Sequence, residues 1–161
     1  GISEAIDFVK SLIGNGHKVK LSIRGHVAVK ELYDKLKSIR EPWISNELSS
    51  TPFSHEKILE AYSYADAILA PYKIDRQVEN KIPTKLYDAL ANGIPIILSK
   101  NELWKQFEIE NPNVLLFDFK KDDPGLLFNK LKKLKKGENI DQSAYWKDEK
   151  IKIQNLIQNL D

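Results

Sequence analysis

The sequence lacks cysteine and methionine, has no long apolar run and carries almost no net charge. Without cysteine, the 161-residue chain can form neither a disulfide framework nor a thiolate metal site, which fits a reducing compartment. No apolar stretch approaches the roughly 20 residues that span a bilayer, and no signal peptide is visible. A net charge of only +2 creates no global field that would attract nucleic acid. These absences predict a cytoplasmic globular protein that does not bind nucleic acid.

The missing methionine also bears on domain organisation, because an intact reading frame starts with Met and this sequence starts with Gly1. We therefore expect an excised piece or a processed product. The length and a hydrophobic content of 42% suit one well-buried domain over residues 1–161. Residues 137–142 are predicted to form a linker to a final helix over residues 143–160.

Helical and strand patterns alternate along the chain. Spacing and end signals predict helices over residues 3–15, 27–39, 83–93, 102–108 and 122–136, and a short helix capped by Ser54. Strands are predicted over residues 19–23, 43–44, 66–71, 94–99 and 114–117, with loops over residues 45–54 and 75–81. Because each strand is followed by a helix, we predict an α/β fold: a doubly wound, Rossmann-like parallel sheet with helices on both faces. Such a domain normally begins with a strand, so the first strand is expected to be missing.

The helix between Pro83 and Gly93 is the most informative element. Proline suits the first helical turn, and glycine can adopt the left-handed conformation that closes a helix. Lys85 and Asp88 lie three residues apart and are neighbours on the helix surface. A cation and an acid near the positive end of a helix make a plausible site for a phosphorylated, hydroxyl-bearing ligand. The alternative is a surface ion pair on an ordinary crossover helix.

Ligands of doubly wound sheets bind at the carboxyl ends of the strands. The loops predicted at that edge are residues 25–27, 46–54, 72–83 and 99–101. The chain has no GxGxxG or Walker A sequence, and its three histidines, His17, His26 and His55, lack metal-ligand spacing. An anion would therefore have to bind at the helix start, at Pro83, Thr84 and Lys85.

Five lysines lie between residues 130 and 136, interleaved with leucines. One interpretation is the solvated face of a helix that packs on the core. The other is a basic amphipathic helix that rests on anionic lipid.

Two segments carry a family resemblance: Asp66-Ala-Ile-Leu-Ala-Pro-Tyr72 and, after a polar loop, Ile82-Pro-Thr-Lys-Leu-Tyr-Asp-Ala-Leu-Ala-Asn-Gly-Ile-Pro-Ile96. They resemble the donor half of GT-B glycosyltransferases, most closely the retaining group called family 4, with its patterns ADxxxxPS and PxKxxEYxAxGxPVI. The resemblance covers essentially the whole chain and is most specific around residues 66–99. It implies the nucleotide-sugar-binding domain of a retaining glycosyltransferase of glycan or polysaccharide biosynthesis. No metal cofactor is expected, because the sequence has no carboxylate cluster such as Asp-x-Asp to bridge a metal to a diphosphate.

The resemblance also implies a role for each site residue. Asp88 would hold the ribose hydroxyls, and the helix start at Pro83, Thr84 and Lys85 would face the diphosphate. The loop that begins at Tyr72 would cup the sugar, and the loop after residues 43–44 would contact the base.

This chain departs from the family pattern at two of the implied donor-binding positions. Asp88 stands where the family usually has glutamate, and Asn80 stands at the upstream acid, with Glu79 one step away. The phosphate-neutralising bases and the acceptor site would belong to the missing first strand and a missing N-terminal acceptor-binding domain. We therefore expect weak nucleotide-sugar binding and no transfer by this chain alone.

Other interpretations remain open. A lipid-linked acceptor would place the whole enzyme at the inner face of the membrane. The departures at the two acid positions also fit a degenerate GT-B domain that acts as a protein-interaction module. A third alternative is an unrelated Rossmann-like domain, such as a sugar-nucleotide epimerase or a receiver-like fold.

Overall fold

The structure, a computed structural model, describes residues 1–141, in which helices and strands alternate. In chain order the elements are α1 (Ile2–Gly14), β1 (Leu21–His26), α2 (Lys30–Lys37), β2 (Ile44–Ser49), α3 (His55–Tyr64), β3 (Ile68–Ala70), α4 (Thr84–Ala91), β4 (Ile96–Ser99), a 3₁₀ turn (Glu102–Trp104) that continues into α5 (Lys105–Glu110), β5 (Val114–Phe117) and α6 (Pro124–Leu131). The predicted final helix over residues 143–160 and residue 142 of the predicted linker lie outside the described residues.

All strand pairs are parallel, and the described strands form two sheets. One sheet pairs β1 with β2, and the other has the order β3-β4-β5. The prediction of a mixed α/β protein with parallel strands, each followed by a helix, is therefore confirmed. A single five-stranded sheet is not seen, because no described strand joins β1 to β3.

The three-stranded sheet is buried on both faces, which explains why its strands are continuous apolar runs. One face packs against α4 and the 3₁₀ turn. The residues of that cluster include Ile68, Ala70, Ile96, Leu98, Val114, Leu116, Leu86, Leu90 and Trp104. The other face packs against α1 and α6, and Leu21 of β1 belongs to the same cluster. Its members include Phe8, Val9, Leu12, Ile97, Leu115, Phe117 and Leu127. The second cluster thus connects the two sheets.

The loop predicted over residues 45–54 is wrong for its first five residues, which belong to β2. Leu48 is buried, and residues 44–49 pair in register with all six residues of β1. The Asn46 side chain donates a hydrogen bond to the Leu36 carbonyl at 3.0 Å. The polar composition of this segment predicts a loop, but its backbone hydrogen bonds are made to β1 and not to solvent, so it forms a strand.

Several predicted helix ends also differ from the structure. α2 covers residues 30–37 rather than 27–39, and α4 covers residues 84–91 rather than 83–93. α1 begins at Ile2, one residue before the predicted start at Ser3, and its N-cap is Gly1. α6 ends at Leu131, and residues 132–136 form turns and irregular structure. The predicted Ser54 cap is confirmed, since its hydroxyl accepts a hydrogen bond from the Lys57 amide at 3.5 Å. Because α6 stops at residue 131, residues 130–136 do not form the continuous basic amphipathic helix that was one interpretation of the lysine run.

Gly93 follows the C-cap of α4 and has the left-handed conformation that was predicted for it, with a φ of 58°. Residues 137–141, in the predicted linker, are held against this end of α4 and the start of β5. The hydrogen bonds run from Gly137 N to Gly93 O (2.9 Å), Asn113 Nδ2 to Glu138 O (2.8 Å), Asn111 Nδ2 to Asn139 O (3.0 Å) and Asp141 N to Leu90 O (3.1 Å). Within residues 1–141, no helix has the length and apolar character needed to cross a bilayer.

Candidate functional site

The candidate site is built around the start of α4, at the carboxyl edge of the three-stranded sheet. Pro83 is the N-cap and lies one position before the first helical residue, in an extended conformation (φ −70°, ψ 137°). The first turn contains no acidic residue, and its Thr84 and Lys85 are exposed. The Lys85 charge therefore adds to the partial positive charge of the helix N-terminus, which favours an anion there.

Asp88, one turn further along α4, contacts α3. Its half-buried carboxylate accepts a hydrogen bond at Oδ2 from the Tyr62 hydroxyl, with 3.3 Å between the oxygens. Burial of the ring, followed by the nearby Asp88 charge, raises the pKa of Tyr62 to about 12. The hydroxyl therefore stays protonated at neutral pH and can donate. Lys85 and Asp88 form no ion pair with each other in the described structure, so the surface ion pair, the simpler alternative, is not formed.

Tyr72 lies beside this pair, at the start of the loop between β3 and α4. Its main chain is fixed by the Ser99 hydroxyl, which accepts from the Tyr72 amide and donates to the Tyr72 carbonyl, both at 2.8 Å. Its ring meets the buried Trp104 ring edge-on, with 5.7 Å between centroids. Burial raises the pKa of Tyr72, and its hydroxyl is near enough to Tyr62 to contribute to the raised pKa there.

The far end of the same loop is also fixed to the segment that follows β4. The Trp104 indole donates to the Lys81 carbonyl at 2.8 Å, and the Asn101 amide donates to the Glu79 carbonyl at 3.2 Å. Glu79 and Asn80 are exposed on a turn of this loop. The structure thus groups Tyr72 and Asp88 around Tyr62. Glu79 and Asn80 instead lie on an exposed turn that is tied to the segment after β4 through the carbonyls of Glu79 and Lys81.

Sequence reasoning missed Tyr62 as a site residue. It placed residues 99–101 at the ligand edge, but it did not predict that Ser99, Asn101 and Trp104 hold the loop between β3 and α4. Ser99 and Asn101 are polar side chains buried at 9% and 8% exposure, just where a parallel strand ends. Polar residues that directly follow an apolar strand are the sequence signal that places such residues at the carboxyl edge, but it does not indicate which main-chain groups they bind. Tyr62 carries no such signal, because its role depends on how α3 packs beside α4.

A pocket of about 190 Å³ lies beside the carboxyl halves of β1 and β2 and the loop that follows β2, and it is lined in part by α3. Arg24 and Glu47, which are register partners in the two strands, form an ion pair at 2.9 Å in its wall. Phe53 and Lys57 complete another wall, with the ammonium 5.6 Å from the ring centroid. Glu47 and Phe53 belong to the segment after residues 43–44, which the family resemblance implies as the base contact; the structure has β2 over the first part of that segment.

A larger cavity, of about 360 Å³, lies at the C-terminal end of α4 and the amino end of β5. Its lining includes Leu90, Phe107 and residues 139–141. Because ligands of open parallel sheets bind at the opposite edge, we favour the smaller carboxyl-edge pocket as part of the site.

The three histidines have different surroundings in the fold. The His17 ring packs 4.5 Å from the Phe128 ring, His26 Nε2 lies 3.1 Å from the Ser50 carbonyl, and His55 is the first residue of α3. Across residues 1–141, no group of three or more histidine, aspartate or glutamate side chains is placed to hold a metal ion.

The elements described above define a mixed α/β protein with parallel sheets. In comparisons with known proteins, no family model, no curated protein and no solved structure matched the chain significantly.

Proposed function

We propose that this chain is the nucleotide-sugar-binding domain of a retaining GT-B glycosyltransferase of family 4 type. The observation that supports the proposal most is the placement of α4. Lys85 and Asp88 lie near its N-terminus, at the carboxyl edge of a parallel sheet, and Tyr72 begins the loop that leads to it. This is the edge at which open α/β sheets bind nucleotides and other ligands.

In this proposal each part of the site has a separate task. Thr84 and Lys85 bind the diphosphate, because the helix start supplies free amides and the ammonium supplies charge. Asp88 accepts hydrogen bonds from the ribose hydroxyls. The anchored loop from Tyr72 to Pro83, with Glu79 and Asn80 on its exposed turn, surrounds the sugar. The pocket beside Phe53 is the proposed base site.

We also propose that the two sheets belong to one doubly wound, Rossmann-like sheet with a further strand between β1 and β3. Ile23 of β1 and Leu69 of β3 both pack against the second core cluster, so the two open edges border the same core. A Cβ on Gly1 would lie 2.4 Å from the Pro71 carbonyl oxygen, so α1 begins beside the end of β3. A strand leading into α1 would therefore end next to β3 and run parallel to it.

The complete enzyme would be a cytoplasmic hexosyltransferase of polysaccharide or glycoconjugate biosynthesis, with an N-terminal acceptor-binding domain. A lipid-linked acceptor would bring it to the inner membrane face. Because the acceptor site lies outside this chain in the proposal, no sugar transfer above a no-protein control is expected from the chain alone.

The test is a titration of the chain with UDP, GDP and ADP, followed by thermal unfolding. A nucleotide at a hundred times its dissociation constant should stabilise the chain by about 2.7 kcal/mol, which is about 5–10 °C in melting temperature at this size. Asp88→Asn keeps the shape but removes the charge, and should weaken binding about tenfold or more because a charged hydrogen bond is lost.

Asp7→Asn is the matched control. Asp7 is exposed on α1, which covers the opposite face of the sheet, so this variant should bind like the parent. Equal nucleotide affinities of Asp88→Asn and Asp7→Asn would contradict the proposed binding of the ribose by Asp88. No stabilisation by any of the three nucleotides at millimolar concentration would overturn nucleotide binding.

A degenerate GT-B domain that binds a protein partner is the second candidate. Two observations favour it: one Asp88 oxygen already accepts from Tyr62, and Asn80 brings no charge to the position of the family's upstream acid. Absence of nucleotide binding in the titration is the outcome that this candidate predicts.

A further inference from the structure

We propose that Tyr62 is a ligand-binding residue of the same site, and that its hydroxyl and the Asp88 carboxylate together bind the two neighbouring hydroxyls of a ribose. This inference rests on the proposed function, since it names a second residue for the nucleotide. It assigns to α3 a part of the recognition that sequence patterns place on α4 alone.

The hydrogen-bond geometry leaves each partner able to accept from a ligand. The Tyr62 hydroxyl uses its one proton on Asp88 Oδ2, so the lone pairs of the phenol oxygen remain available. On Asp88 the second carboxylate oxygen, Oδ1, remains to accept. The pair therefore presents two acceptors side by side from two helices, which suits a vicinal diol with its two donors.

The length of the side chains explains why two residues would share this task. A glutamate at position 88 would extend one methylene further from α4 and could offer both of its oxygens to the diol. The shorter Asp88 has one oxygen engaged by Tyr62, and the phenol oxygen lies 3.3 Å from that carboxylate oxygen. Tyr62 thus supplies the second acceptor that the shorter acid does not extend far enough to provide.

Tyr62 is also held in place from behind. The Lys136 ammonium donates to the carbonyls of Tyr62 and Ser63, each at 2.6 Å. These carbonyls belong to the last turn of α3, where intrahelical donors are lacking. The Tyr62 ring packs against the first core cluster. Lys136 is therefore a positioning residue, which fixes the end of α3 while Tyr62 contacts the ligand.

The experiment compares Tyr62→Phe with Tyr64→Phe by isothermal titration calorimetry. Tyr64 lies on the same helix but is 77% exposed, so the control removes a hydroxyl that no site residue uses. The ligands are UDP, GDP and ADP and their 2′,3′-dideoxy counterparts, which lack the diol. For the ribose nucleotides, Tyr62→Phe should weaken binding about three- to tenfold, the usual effect of one lost hydrogen bond. For the dideoxy nucleotides, the same variant should change binding less than about twofold.

A purely structural role for Tyr62 would give a different result, because a distorted site weakens both ligand series equally. Equal weakening in both series therefore overturns the proposal, and so does a Tyr62→Phe affinity equal to that of Tyr64→Phe. If the parent chain binds none of the nucleotides, the proposed function falls together with this inference. If the parent binds and only the Tyr62 comparison fails, the proposed function stands without it.

Lys136→Met tests the positioning role, with Lys133→Met as its exposed control. We expect the affinity of Lys136→Met for the ribose nucleotides to lie between that of the parent chain and that of Tyr62→Phe. Equal affinities of the two lysine variants would overturn that role of Lys136.

Discussion

Replacing Ser99 with alanine is expected to loosen the loop that leads into α4. The Ser99 hydroxyl makes two hydrogen bonds of 2.8 Å to the main chain of Tyr72, one to its amide and one to its carbonyl. Ser99 is only 9% exposed, so water has little access to replace it. Alanine would leave one main-chain donor and one acceptor without this partner at the first residue of the loop that follows Pro71.

The size of the effect follows from the two bonds. Each is worth about 1 kcal/mol net, and partly buried groups left unpaired add to that, so Ser99→Ala should lower the free energy of unfolding by about 2–3 kcal/mol. In a chain of this length, 1 kcal/mol corresponds to roughly 2–4 °C in melting temperature. The expected decrease is therefore about 4–12 °C by the same conversion.

Trypsin cleavage under native conditions measures the loop itself. The loop contains Lys73, Arg76 and Lys81, after which trypsin can cut. If loop opening becomes easier by about 2 kcal/mol, the open population rises about 30-fold, and cleavage rises with it when opening is fast. Mass spectrometry of the fragments identifies which of the three bonds is cut.

Ser63→Ala is the matched control for this variant. Ser63 is exposed, and its hydroxyl donates to the Glu60 carbonyl within α3, so its removal should change stability by no more than about 0.5 kcal/mol. A Ser99→Ala protein that melts like the control and is cut at the parent rate would refute the assignment of Ser99 as the anchor of Tyr72.

Two further predictions concern the ends of α4 and the pair at its middle. Gly93→Ala should lower the free energy of unfolding by about 2 kcal/mol or more in urea, since φ is 58° and the new Cβ would lie 2.9 Å from the Glu138 carbonyl. Gly14→Ala, with open space around it at the end of a helix, should be neutral or stabilising by up to about 1 kcal/mol, and equal effects of the two would contradict the left-handed closure. The pKa of Tyr62 is about 12 in the folded chain, above the usual 10. The Tyr62 hydroxyl therefore loses its proton first in the unfolded state, and the free energy of unfolding should fall as pH rises from 10 to 12. After allowance for a ring that is only half-buried, the expected loss is about 1 kcal/mol; it should be absent in Tyr62→Phe, and identical pH dependence in both proteins would count against the buried hydroxyl.

Burial decided which strands could be predicted from sequence. β5 was predicted to the residue, because Val114–Phe117 is buried on both faces and must be apolar throughout. β2 was largely missed, because it pairs only with β1 among the described strands and exposes Ser45 and Glu47. The number and order of the elements followed from local patterns. The division of the described strands into two sheets did not, because strand pairing is a long-range property.

The candidate site also combines residues that could be predicted from local sequence patterns with contacts that could not. Pro83, Lys85, Asp88 and Gly93 were accessible from sequence because they belong to one local element with recognisable ends. The Tyr62 contact to Asp88 joins residues 26 positions apart, and the Ser99 contact to Tyr72 joins residues 27 apart. No periodicity or cap signal encodes such pairs, since they exist only after the helices and strands have packed.

The contact of Lys136 with the end of α3 has a consequence for the order of folding. It joins residues separated by 74 positions in the chain, across β3, α4, β4, α5, β5 and α6. Closing a loop of that length is entropically unfavourable until the intervening elements are in place, so this contact should form late in the folding reaction. The last turn of α3 would then be stabilised only when the C-terminal half has already folded. In a chain synthesised from its N-terminus, the hydrogen bond between Tyr62 and Asp88 would be fully stabilised only after residue 136 has left the ribosome.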